Sequence, residues 1–117
     1  MVHNNHVGTQ GELWAQTWLN DQGWRIVDTN WHCRYGEVDI VAQRGKDLVF
    51  FEVKTRTSTT FGYPVEAITA SKIIRMRRVA GQWLAAHPNI RGRIRLDVLG
   101  LVITKDNVDV DHVEAVG

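Results

Sequence analysis

Apolar positions change their period along this chain. Ala15, Trp18 and Leu19 recur at helical spacing, Gln22 continues the run and Gly23 offers a stop, which predicts a first helix over about residues 9 to 22. Thr9 followed three residues later by Glu12 matches a capping box at its start. The segments Trp24 to Cys33, Glu37 to Gln43 and Leu48 to Arg56 are rich in Val, Ile, Phe and Trp, and Gly-bearing turns at Arg34-Tyr35-Gly36 and Arg44-Gly45-Lys46-Asp47 separate them. Three antiparallel strands are expected. Ile73, Met76, Ala80, Trp83, Leu84 and His87 then return to helical spacing, closed by Pro88 and Asn89, so a second helix is predicted over about residues 70 to 87. Arg93 to Ile103 reads as a strand, and a right-handed crossover lays it parallel to Leu48 to Arg56. Val108 to Val113 alternates and adds an edge strand. The order is αβββαβ(β): an α/β fold whose mixed sheet carries helices on its faces.

The 117 residues, 44% hydrophobic, suit one domain over the whole chain and leave no room for a second. No apolar run is long enough to cross a membrane, and Met1 to Gln10 lacks the basic and apolar regions of a signal peptide, so a cytoplasmic setting is expected. Cys33 is the single cysteine; it makes no internal disulfide, lacks partners for a zinc site and reads as a buried strand residue. The 14 basic and 13 acidic residues balance overall but are unevenly spread. Between Lys54 and Arg95 nine basic residues face one acid, Glu66. That block is either a solvated helix face with a basic strand end or a phosphate-binding surface.

Two strands carry charge where core residues are expected: Gly36-Glu37-Val38-Asp39-Ile40-Val41 and Val49-Phe50-Phe51-Glu52-Val53-Lys54. A hairpin symmetric about Gly45 and Lys46 sets Asp39 opposite Glu52 and Glu37 opposite Lys54. By strand alternation all four share one face, and Val38, Ile40, Phe51 and Val53 fill the other. Directly opposed carboxylates destabilise a strand pair, and a divalent cation with an appetite for oxygen, Mg²⁺ above all, compensates them. Lys54, two residues beyond Glu52, stands near enough to a metal-bound water or a phosphate oxygen to stabilise developing negative charge. The competing reading is an exposed sheet face with a Glu37 to Lys54 ion pair. Glu12 shares a helix face with Ala15 and Leu19, so it either completes the capping box or reaches the same cavity.

On the second helix the apolar stripe centres near Met76 and Ala80. Lys72 sits at its margin and Arg75 further round the same side, which makes them the first candidates for phosphate contacts, ahead of Arg77 and Arg78. Arg56 and the hydroxyls of Thr55 to Thr60 follow Lys54 directly and offer further donors. His3 and His6 form an H-x-x-H pair in a terminus of little pattern, a weak metal candidate. Gly8 and Gly11 are not a dinucleotide fingerprint, since no strand precedes them.

Glu12 on a first helix, Gly36-Glu37-Val38-Asp39, then Glu52-Val53-Lys54, resemble the PD-(D/E)XK nuclease superfamily, with an order similar to that of archaeal Holliday junction resolvases. The closer resemblance is to the YraN-like family of small bacterial proteins. Its residues run from Gly11-Glu12 through Gly23, Asn30, Gly36-Glu37-Val38-Asp39, Glu52-Val53-Lys54-Thr55-Arg56, Phe61-Gly62, Pro64, Ala67, Lys72 and Arg75 to Arg95-Leu96-Asp97-Val98. The resemblance implies a restriction-endonuclease-like fold. It also implies Asp39, Glu52 and the carbonyl of Val53 as ligands of Mg²⁺ or Mn²⁺, Lys54 as the catalytic lysine and Glu12 as an auxiliary acid. The expected activity is metal-dependent hydrolysis of DNA phosphodiesters, branched or structured DNA included, by a homodimer. A nucleic-acid-binding protein without catalysis and a protein-assembly module are the rival expectations.

Overall fold

The computed structural model describes residues 2–60 and 62–117, with side chains from residue 8 onward. Helix α1 (Val2–Asp21) leads into β1 (Arg25–Cys33), β2 (Gly36–Arg44) and β3 (Asp47–Arg56). A 3-10 turn (Pro64–Ala67), helix α2 (Ala70–Ala86), β4 (Arg93–Ile103) and β5 (Val108–Val113) follow. The five strands form one sheet in sequence order. Only β3 and β4 pair in parallel; the other neighbours are antiparallel. The α2 crossover makes that parallel pairing possible, because parallel neighbours cannot be joined by a tight turn.

Strand alternation sends side chains to two cores. Ile40, Ala42, Val49, Phe51, Leu99 and Leu101 pack with Ala15, Leu19 and Trp24 on the α1 side. Val41, Leu48, Phe50 and Leu96 pack with Val79, Ala80 and Trp83 on the α2 side. A strand buried on both faces reads as a continuous apolar run, which is why Leu48 to Phe51 shows no alternation in hydropathy. Helix α2 starts where expected: Thr69 caps it, its hydroxyl accepting the N–H of Lys72 at 3.3 Å.

The first helix departs from expectation. It begins at Val2, so Thr9 and Glu12 lie within it and form no capping box. Once the turns around Ala15 and Leu19 are docked, each added residue gains a hydrogen bond without a new nucleus, and the helix extends through a segment that has no apolar stripe. The side chains of His3 and His6 lie outside the described residues. Gly11 brings α1 close to the sheet: a Cβ there would collide with the Thr55 side chain on β3.

The β2–β3 register is the expected one, running from Arg44↔Asp47 to Ile40↔Phe51, and there the ladder ends. The β1–β2 ladder passes from Thr29↔Ile40 to Trp31↔Val38, which leaves Asn30 opposite Asp39, and Asn30 is in the left-handed region at φ 51°. Asn tolerates that conformation better than most residues. The kink interrupts the alternation of the paired strand. Ile40, Phe51 and Val53 do pack on the α1 side, but Val38 turns to the α2 side, against the expectation that all four share a face.

Candidate active site

Where the β2–β3 ladder stops, the Asp39 carboxylate takes over one strand hydrogen bond: its Oδ2 accepts the N–H of Val53 at 2.7 Å. The side chain is thereby fixed between the parting strands, with 6% of the residue exposed. Burial first, then the charge of Glu52, pushes its carboxyl up to about 8, while the Val53 N–H pulls the other way and Glu12 and Glu37 add to the rise. Each neighbour of like sign stabilises the neutral acid. The sequence sets Asp39 opposite Glu52; the structure brings the two into electrostatic contact by splaying the strands, without a continued ladder.

Glu12 joins this cluster from α1. Its carboxyl is raised by burial and by the charges of Glu37 and Glu52, and a contact with the Asn30 side chain opposes the rise. With the helix beginning at Val2 the capping-box reading fails, and Glu12 instead lies within the field of Glu37 and Glu52, though it does not line the cleft beside them. Asn30 thus does two things: its backbone kinks β1 beside Asp39, and its side chain meets Glu12. No periodicity signals that role, since a left-handed residue inside a strand looks like any polar strand residue.

Glu37, Glu52 and Lys54 line a cleft of about 450 Å³ whose opposite wall is Lys72 and Arg75 of α2. Lys54 Nζ stands 3.5 Å from Glu52 Oε2. The Lys72 ammonium is held below the usual lysine range, chiefly by the positive charge of Lys54. Glu37 pairs at 3.0 Å with His32, not with Lys54 as the exposed-face reading has it. Arg75 lies along Gly36, its Cδ 3.1 Å from where a Cβ would stand. Cys33, expected in the core, is half-buried at the cleft wall. Arg56 does not line this cleft; its Nε is buried and has no hydrogen-bond partner among the described residues.

The donor set suits a hard cation. Among the described residues no three His, Cys, Asp or Glu side chains converge as a ready ligand cage. Mg²⁺, however, takes one or two carboxylates and completes its shell with water and phosphate. Asp39 is buried beside the half-buried Glu52, whose charge disfavours ionisation of Asp39, and a cation between them would relieve that repulsion with hard carboxylate oxygens as its donors.

The chain matches the model of the family described as Uncharacterised protein family UPF0102 over residues 11–101, and it belongs to that family. It is similar to the UPF0102 protein of Beutenbergia cavernae, 44% identical with 95% of each chain covered. It is also similar to the UPF0102 protein of Kineococcus radiotolerans, 44% identical over 99% of each, and to that of Rhodococcus jostii, 46% identical over 88% of this chain and 87% of its relative. The matched span starts at Gly11, the residue that seats α1 on β3, and includes every residue of the cleft described above.

Proposed function

We propose that this UPF0102 protein is a metal-dependent nuclease of the PD-(D/E)XK type that hydrolyses DNA phosphodiesters, and that it works in the cytoplasm as a homodimer. One observation carries the reading: the buried Asp39 carboxyl, fixed by the Val53 N–H at 2.7 Å where the β2–β3 ladder ends, lies in the field of Glu52, whose Oε2 is 3.5 Å from Lys54 Nζ. A buried acid whose ionisation is disfavoured by a neighbouring carboxylate costs stability when charged, and such costs concentrate at functional sites.

Asp39 and Glu52, with the carbonyl of Val53, would hold Mg²⁺ or Mn²⁺, which when bound polarises the phosphoryl group and acidifies a water. The chain's own groups supply the rest. Lys54 presents a cation to the phosphoryl oxygen where charge accumulates. Lys72 and Arg75, on the facing wall, bind the phosphate and its neighbours. Glu12, its carboxyl raised by burial and by Glu37 and Glu52, would hold or pass a proton beside them. Arg56, beyond Lys54 on the same strand, offers its guanidinium to the nucleic acid.

Purified protein is incubated with labelled duplex, single-stranded and four-way DNA in Mg²⁺ or Mn²⁺, beside Glu52→Gln and Lys54→Ala. Each variant is expected to lose cleavage by about 10²-fold or more, the usual cost of removing one group that stabilises transition-state charge. Cleavage by Glu52→Gln at the wild-type rate defeats the proposal. The second reading, binding of nucleic acid without catalysis, draws on the basic wall of Lys72 and Arg75, which attracts phosphate with or without a metal. It predicts salt-sensitive DNA retention indifferent to EDTA and to Asp39→Asn.

A further inference from the structure

The tip of the β1–β2 turn, Arg34 and Tyr35, stands between Cys33 and Gly36, two residues of the cleft wall. Tyr35 is half-buried against the α2-side core. Two guanidiniums lie over its ring, Arg34 at 4.9 Å and Arg78 at 5.7 Å from the centroid, and an Arg34 Nη donates to the Tyr35 hydroxyl at 2.8 Å. Both arginines are exposed, and neither has an acid within 4.0 Å among the described residues. Arg78 lies one turn beyond Arg75, about 4.5 Å further along the helix axis. The turn and the helix touch directly, through Arg75 and Val79 against Gly36.

A cation stacked on an aromatic face is pre-ordered, so less rotamer entropy is lost when it binds. Two such cations held against one ring concentrate positive charge at the cleft's edge, and the planar fork of donors on each matches phosphate oxygens. The wheel of α2 alone puts Arg78 almost opposite the core; only the turn's approach brings it to Tyr35. We infer that Arg34, Tyr35 and Arg78 form a second phosphate site, which grips the nucleic-acid backbone next to the cleft and continues the track from Lys72 and Arg75. The inference rests on the nuclease reading for the identity of the polyanion, but its test needs no hydrolysis.

Anisotropy of a labelled duplex and of a single strand is measured in EDTA across a salt series with the full-length chain, Arg34→Gln/Arg78→Gln and Arg34→Lys/Arg78→Lys, thermal melts confirming that each variant folds. The glutamine pair is expected to weaken duplex binding about tenfold at moderate salt and to flatten the log–log salt slope by about 0.9 for each phosphate no longer neutralised. The lysine pair keeps the charge without the fork and is expected to restore the slope but only part of the affinity. Duplex binding by the glutamine pair within about twofold of wild type, at an unchanged slope, overturns the site; so does absence of wild-type binding. If the glutamine pair weakens binding while the wild type cleaves nothing in Mg²⁺ or Mn²⁺, the hydrolytic reading fails and this site stands.

Discussion

Asp39 and Asp97 are the two buried acidic residues among the described ones, and they lie on either side of β3: Phe51 pairs with Ile40, next to Asp39, on one side and with Asp97 on the other. Their surroundings are opposite. Asp97 receives two hydrogen bonds from Arg95, both at 2.9 Å, one from His112 at 2.7 Å and one from the Ala115 N–H at 3.0 Å. Burial alone would raise its carboxyl, but these donors outweigh it and hold the group below the usual aspartate range. Asp39 receives one backbone N–H and faces carboxylates. The same residue type at similar burial is therefore a completed clasp in one place and an acid facing other carboxylates in the other. Completion, not burial, separates them.

The sharpest way to break this contrast is Asp97→Asn, which puts an uncharged amide in the buried position and leaves the half-buried Arg95 only its longer contacts with Asp47 and Glu114. It is expected to cost about 3–5 kcal/mol, as for other interrupted buried pairs, read as a lower urea midpoint at unchanged slope. Because its folded value is depressed, the stability Asp97 contributes is present above its unfolded pKa and lost as pH falls through the folded one. Asp39→Asn is the mirror image. The folded value is raised from 3.8 to about 8, so the stability of the neutral form is full below 3.8 and lost as pH rises through about 8. The amide variant is expected to be level with wild type in acid and more stable at alkaline pH, by up to about 6 kcal/mol at about 1.4 kcal/mol for each unit of the rise. Paired melts at the two extremes check both signs.

Divalent cation sharpens the comparison further. Mg²⁺ at a hundredfold excess over its Kd is expected to stabilise the wild type by about 2.7 kcal/mol, to leave Asp39→Asn almost unmoved, and to act on Asp97→Asn as on the wild type. Calorimetric scans with and without the ion read this out. The smallest effect is expected from Asn30→Gly. Glycine keeps the left-handed backbone at a stability change below about 1 kcal/mol, but the side chain that holds Glu12 down is gone. The Glu12 carboxyl then titrates still higher, which carbon-detected NMR of the glutamate side chains measures.

Much of the architecture is legible in the chain because it rests on local periods. The α2 span and the β2–β3 register follow from side-chain spacing and from a short symmetric turn, and these carry Glu52 and Lys54 to one wall of the cleft. The Thr9–Glu12 box fails for a local reason as well. Capping preference is a bias at a helix end, and it says nothing once the helix runs on to Val2. The turn of Val38 to the α2 side is illegible because a positive φ at Asn30 leaves no mark in hydropathy.

What the sequence by itself determined is the order of elements, the strand register and the presence of carboxylates and a lysine at matched positions, since all of these depend on neighbours a few residues away. Tertiary structure alone decided which acids were completed. Arg95, His112 and the Ala115 N–H converge on Asp97, and Glu12 arrives beside Asp39 from a helix on another layer. Desolvation and Coulomb energy depend on distance in space and on exclusion of water, and no spacing along the chain encodes either.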